Sequence, residues 1–262
     1  MKLIHEPMDG RRQAVLGVLG VVGVAAVVEL LMRTVVTKPG LPVPSRIVGS
    51  LGELFSDGTF WEAVGFTMAE WMIALLMATV VGVLVGAAMG ASTAAKITFT
   101  LPVEAFRVLP SIALGPILVL LLGNGMLPLS ITVALACVWP ILLNTMYAVQ
   151  GADTTAIQTA ESFGLTRVQV VRRVIVPSAL PFAFTGVRVA ASIGLIVAVS
   201  AELLVGGGSG IGGYILVGSA NATNLDLVYA ATLVAGVLGV LVSLAMSAVD
   251  VVVFDWKKGL AQ

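Results

Sequence analysis

AESFGLTRVQVVRRVIVPSALP, residues 160–181, is a cationic stretch in a chain that is otherwise mostly apolar. It carries three of the fourteen basic residues within seven positions, Arg167, Arg172 and Arg173, between Gly164 and the prolines Pro177 and Pro181. A glycine suits the left-handed residue that closes a helix, and a proline interrupts one. The stretch reads as the end of one short helix, a turn, and a second helix that begins at Thr166 and is stopped by Pro177 and Pro181 before the next apolar run.

The surroundings place this helix pair beside a membrane. Hydrophobic residues make up 58% of the chain and charged residues 11%, where soluble domains carry about a quarter charged residues, and the mean hydropathy is +1.07. A spanning helix needs roughly 20 apolar residues. Apolar runs fall at about 13–32, 68–90, 103–122, 129–149, 184–205 and 228–250. An all-α, polytopic membrane protein with about six transmembrane helices is expected. Residues 13–250 read as a single membrane domain that includes the insert 150–181, flanked by cytoplasmic ends at 1–12 and 251–262. The first run follows MKLIHEPMDGRRQ without a cleavage pattern and reads as a retained anchor.

Basic residues orient the spans. Lys2, Arg11, Arg12, Lys96, Arg167, Arg172, Arg173, Lys257 and Lys258 fall on one side, against Arg33, Lys38 and Arg46 on the other. The richer side is cytoplasmic by the positive-inside rule, and both termini lie there. Pro102, Pro110, Pro116, Pro128 and Pro140 interrupt the third and fourth runs and break or kink them. Gly82, Gly86 and Gly90 repeat at spacing four, with Ala74 and Ala78 continuing the row. Such a row serves close packing inside one subunit or a seam between two copies, and the first is expected.

Composition excludes several chemistries. The formal net charge is zero, so no nucleic-acid partner is indicated. Cys137 is the sole cysteine and His5 the sole histidine, which leaves no disulfide framework, no Cys/His zinc site and no nucleophile with an internal histidine. No cofactor or metal is expected. Gly208, Gly210 and Gly213 satisfy G-x-G-x-x-G, but no strand precedes them and no acidic residue follows at the required distance, so they read as a flexible outer loop. The phosphate-cradling G-x-x-x-x-G-K-[ST] is absent, so ATP hydrolysis would have to come from another polypeptide.

In the insert, Asp153 or Thr154 can cap a short helix through Ile157, Gln158, Ala160 and Glu161, which Gly164 closes. Val168, Val171, Val174 and Ile175 lie on one side of the second helix, and the three arginines lean toward water or lipid phosphate. From periodicity alone the pair is an interfacial connector touching membrane lipid.

Read in register, Gln158, Thr159, Ala160, Gly164, Ile175 and Pro177 resemble the Glu-Ala-Ala, Gly, Ile, Pro signature of bacterial ABC-importer permeases. LPVPSRIVGSLGELFSDG (41–58), FRVLPSIALGPILVLLLGNG (106–125), PILLNTMYAV (140–149), VVRRVIVPSALPFAFTGVRVA (170–190) and SIGLIVAVSAELLVGGGSGIG (192–212) resemble the sulfonate, taurine and nitrate branch, in the family's order. The resemblance implies a type I importer permease (MetI-like) fold in a bacterial inner membrane. It implies no catalysis by this chain, two ATPase subunits, a second permease chain, identical or homologous, and an extracytoplasmic solute-binding protein. It implies that Gln158, Thr159, Ala160, Glu161, Gly164 and Pro177 form the segment that docks on the ATPase. The leading Glu-Ala-Ala reads Gln158-Thr159-Ala160 here, with Glu161 displaced by three positions.

Polar residues within the spans are candidates for a pathway or gate: Glu202, Ser200, Arg107, Asn124 and Asn144, with Ser130 and Thr132. Glu202 reads either as a gate residue or as a carboxylate bonded to Ser200 or to amides of the glycine loop. Arg107, Arg188 and Glu104 are expected to snorkel or pair. Glu29, Glu62 and Glu70 are expected to reach water, Trp61 and Trp71 to sit in the outer interfacial belt, and Trp256 in the inner one. The function expected is transport of a small solute; an autonomous channel or ion-coupled carrier is the alternative, and a membrane-embedded enzyme is disfavoured for want of a converging catalytic set.

Overall fold

A computed structural model describes residues 10–34, 42–205, 209–221 and 224–254. Lys2, His5, Lys38, Gly208, Trp256, Lys257 and Lys258 lie outside the described residues. Every regular element among the described residues is helical. Helix α1 (Gly10–Thr34) is followed by two short helices, α2 (Pro44–Gly49) and α3 (Leu51–Ser56), and by the long α4 (Gly58–Ala91). Then come α5 (Thr93–Arg107), α6 (Ser111–Leu122) and α7 (Met126–Gln150). The insert holds α8 (Thr154–Ser162) and α9 (Arg167–Val170), and a π-helical turn at Val171–Ile175 leads into α10 (Val176–Val205). Helices α11 (Gly210–Asn221) and α12 (Leu225–Val253) are the last two among the described residues.

The core is the three-way packing of α4, α7 and α10. Trp71, Ala74, Leu75 and Ala78 meet Val133, Cys137 and Ile141 and, from α10, Ala190, Ala191 and Leu195. In lipid no hydrophobic force drives one helix onto another, so close backbone approach must hold them together. The glycine row supplies it: a Cβ at Gly82 would lie 2.9 Å from the Ile141 side chain and one at Gly90 2.6 Å from Val149 Cβ, both on α7. From α10, a Cβ at Gly186 would lie 2.8 Å from the Pro140 carbonyl. The row is thus a seam inside one subunit.

Among the described residues, five helices are long and apolar enough to cross a membrane, or six if the bent pair α5 and α6 counts as one. The third apolar run, expected as a single span at 103–122, is that pair, inclined at 91°. Pro110 sits at the break: it has no N–H to donate, its ring disfavours a helical Leu109, and it serves instead as the residue from which α6 starts.

Pro177 and Pro181 do not end the second insert helix, as the sequence suggested. Residues 167–205 run as one continuous helix of 39 residues. The π turn is the reason: the Val176 N–H bonds the Val171 carbonyl, five residues back, so the ladder widens just before the ring of Pro177 has to be accommodated. The wider turn also shifts the side-chain register. Val170 is buried, whereas Val168 and Val171, expected on the packed side, are exposed.

Three further expectations are corrected. Gly210–Asn221 is a helix and not a loop, with Gly210 at φ +75°. Glu70 is fully buried and does not reach water. Trp71 is buried too, its indole N–H donating to the Ala191 carbonyl at 2.9 Å; Trp61 is the exposed one, its N–H donating to Phe55 O at 2.9 Å.

Candidate functional site

Two places concentrate unusual geometry, one at each end of the helix 167–205. Beside its N-terminal end, the Asp153 carboxylate accepts from the Thr155 N–H at 2.8 Å and starts α8. Gly164 closes it at φ +79°, with its N–H on the Glu161 carbonyl at 2.9 Å and the Leu165 N–H on the Ala160 carbonyl at 3.2 Å. These paired bonds are a Schellman ending. Two residues later Thr166 and Gln169 form a capping box, the Gln169 side chain accepting from the Thr166 N–H at 2.8 Å. Both helices are therefore set by local hydrogen bonds, and the turn between them is fixed.

Of the residues expected to dock, Gln158, Thr159, Glu161 and Gly164 are exposed on this turn, while Ala160 is buried beneath it. Pro177 is exposed, but on the continuous helix beyond the π turn. Phe163, which sequence reasoning passed over, is 82% exposed at the tip. An aromatic residue in an otherwise polar helix ending was its signal.

At the C-terminal end of the same helix, Glu202 is buried and holds the start of α11. Its Oε2 accepts from the Gly212 N–H at 2.8 Å and its Oε1 from the Thr67 hydroxyl at 2.7 Å, and Thr67 Oγ1 in turn accepts from the Ile211 N–H at 2.9 Å. The first N–H groups of a helix lack partners within it and carry partial positive charge, so a carboxylate there is well placed. A Cβ on Gly210 or Gly212 would run into the Glu202 side chain, which explains the glycines around it. The bond to a backbone amide is one that the sequence reading named for Glu202; the Ser200 hydroxyl donates instead to Ile196 O at 2.8 Å.

Glu70 lies one turn from Thr67 with its side chain against that of Glu202. Sequence reasoning placed it in water, although a signal existed: the row Gly82, Ala78, Ala74, stepped back by four, lands on Glu70. Asp57 adds a second tie to α11. Its Oδ1 accepts from the Thr59 N–H at 2.9 Å and the Thr59 hydroxyl at 2.7 Å, and its Oδ2 accepts from the Tyr214 phenol at 2.8 Å. The Thr59 hydroxyl first, then the Tyr214 phenol, hold the Asp57 carboxyl below the ordinary aspartate value.

The remaining candidates are scattered. Asn124 is exposed and shares with Glu202, Phe66 and Ser209 a cavity of about 210 Å³; Phe66 and Ser209 also line a neighbouring cavity of about 570 Å³ between α4, α11 and α12. Asn144 donates to the Pro140 carbonyl at 2.8 Å in the α7 and α10 seam. Arg107 pairs with Glu104 at 2.6 Å on the surface of α5. Ser130 donates to Glu70 O at 3.4 Å and Thr132 to Pro128 O at 2.9 Å. Among the described residues, no group of His, Cys, Asp and Glu could hold a metal ion.

The family model for binding-protein-dependent transport system inner membrane components matches residues 78–254, more than half of the chain. The chain belongs to that family. Among its relatives, the taurine transport system permease protein TauC of Escherichia coli (strain K12) is 28% identical over 63% of this chain and 62% of its own length. The nitrate import permease protein NrtB of Leptolyngbya laminosa is 26% identical over 71% of this chain and 66% of its own length. The chain thus spans less than two thirds of each of these relatives. In fold it resembles a chain of the MetNI methionine ABC transporter in an inward-facing conformation, with a TM-score of 0.61 at 20% identity, covering 73% of this chain and 94% of that one. The region that marks this binding-protein-dependent transport component includes α8 and Glu202 but begins beyond Thr67 and Glu70.

Proposed function

We propose that the chain is the transmembrane permease subunit of an ATP-binding-cassette importer, and that α8 is the element through which a separate ATPase chain drives it. The observation that carries this reading is α8 itself: a helix capped at both ends, exposed at Gln158, Thr159, Glu161 and Phe163, with Ala160 buried, and packed against the start of a membrane-length helix. A force-receiving element must move as a unit, which packed and capped helices do and an open loop does not. The chain performs no covalent chemistry. Its partners are two ATPase subunits, a second permease chain and an extracytoplasmic solute-binding protein.

Taurine and nitrate, named for relatives, support a small anionic or zwitterionic cargo. The location is a bacterial inner membrane with both termini cytoplasmic. Charge grouping supports this: Lys96, whose Nζ meets Gln150 Oε1 at 3.5 Å, falls at the end that carries the insert arginines, while Arg46 pairs with Asp226 at 2.7 Å at the other. The shared cavity supports Glu202 and Asn124 as residues of the outer mouth. Ser200, Asn144 and Arg107 carry less support, since a helix carbonyl or Glu104 already engages each.

The test is purification of the tagged chain from its native membrane. A co-purifying chain with a G-x-x-x-x-G-K-[ST] loop and ATP hydrolysis by the preparation are expected. Ala160→Arg is expected to lose both while the permease still inserts and melts cooperatively. Retention of that chain and its hydrolysis by Ala160→Arg would overturn the docking role.

A further inference from the structure

Glu70 is fully buried on α4, and neither of its carboxylate oxygens receives a hydrogen bond. It faces the carboxyl of Glu202. The groups around the pair come from four helices. Thr67 on α4 donates to Glu202, α11 offers the Ile211 and Gly212 N–H groups, α10 offers Glu202 itself, and Ser130 on α7 bonds only the Glu70 backbone carbonyl. Other acids nearby are engaged elsewhere or face solvent: Asp57 with Tyr214, Asp226 with Arg46, and Glu62 at the surface. No ion pair between either carboxylate and a basic residue occurs among the described residues.

Two charged carboxylates cannot stand side by side in such a place without a cation between them. Glu202 already accepts two hydrogen bonds, as a carboxylate does. Glu70 receives none, and as an acid it would have a donor of its own. We propose that Glu70 and Glu202 form a proton-binding site, in which a proton carried by Glu70 is donated to the Glu202 carboxylate. The pair then bears a single negative charge, the one that caps α11. Removing the proton sets two charges against each other at the joint of α4, α10 and α11, so proton occupancy and the seating of α11 are linked. This goes beyond the transport reading and stands without it.

The experiment uses the full chain in lipid nanodiscs and needs no cargo. Infrared spectra of the wild type at neutral pH are expected to show a deuterium-sensitive stretch of a protonated carboxyl, which Glu70→Gln removes. The folded pair holds a proton that exposed carboxyls of the unfolded chain have already lost at neutral pH, so unfolding there releases a proton and the melting temperature falls as pH rises above the ordinary glutamate range. In Glu70→Gln the amide supplies a permanent donor, and the fall is expected to vanish. A wild-type spectrum without the band, or a Glu70→Gln spectrum that keeps it, overturns the proposal. So does a melting temperature raised by sodium ions at fixed pH, since a metal cation would then occupy the gap. Should Glu70→Gln fail to fold, the wild-type band decides: its loss as pH is raised, together with the fall in melting temperature, supports the site, and its persistence while the melting temperature falls overturns it.

Discussion

The phenol of Tyr214 donates to the Asp57 carboxylate at 2.8 Å and so ties α11 to the residue that starts α4. Tyr214→Phe removes this bond and leaves the ring, which packs edge-on against Phe60 with centroids 5.5 Å apart. A loss of about 1 kcal/mol is expected in denaturant or thermal unfolding.

The same aspartate gives a pH dependence at the acid side. Because its folded value is depressed, its contribution is present above the unfolded aspartate value and is lost as pH falls through the folded one. Asp57→Asn is expected to flatten that acid limb of a melting curve, while the wild type loses stability along it.

Gly86 on α4 lies under the Leu142 carbonyl, and a Cβ there would also sit 3.0 Å from Thr145 Cβ. Gly86→Leu is expected to force α4 and α7 apart, at about 1–3 kcal/mol or more, and to lower the yield of folded protein in membranes. Gly65 has open space around its Cβ position, and Gly65→Ala is expected to be neutral or to stabilise by up to about 1 kcal/mol.

Gly164→Leu puts a branched side chain at φ +79°, where L residues are strained by roughly 1–2 kcal/mol. The Schellman ending of α8 is expected to loosen, seen as faster amide exchange at Gly164 and Leu165. Phe163→Ala should leave that exchange unchanged and weaken binding of the ATPase chain, measured by co-purification.

Pro177→Ala restores an N–H opposite the Arg173 carbonyl. The π turn is expected to tighten toward α-helix, with increased protection over 171–177 and a rotation of α8 about the helix axis, measurable as altered spin-label distances from position 158 to the C-terminal end of α10.

Much of this fold was readable because its causes are local or periodic. Asp153, Gly164 and Thr166 bound the insert helices by hydrogen bonds spanning at most five residues, and the Gly82, Gly86, Gly90 row announces a helix seam by spacing alone. What was missed depends on partners distant in the chain. Glu70 and Trp71 read as interfacial because their companions, Glu202 and the Ala191 carbonyl, lie more than 100 positions away. The bend at Pro110 and the continuity through Pro177 show the same residue type with opposite results. At Pro177 a π turn absorbed the missing donor, and the sequence carries no mark of that choice.

From Arg167 to Val205 the backbone forms a single stiff rod of 39 residues, roughly 60 Å from tip to tip. One tip carries the α8 knuckle and the other the carboxylate that anchors α11. A shove at the knuckle has two outlets: tilting of the whole shaft, which drags the anchor with it, or yielding at its irregular spot, the five-residue π turn and the prolines just after it. How compliant that spot is sets whether the far side of the membrane feels what happens on the near side.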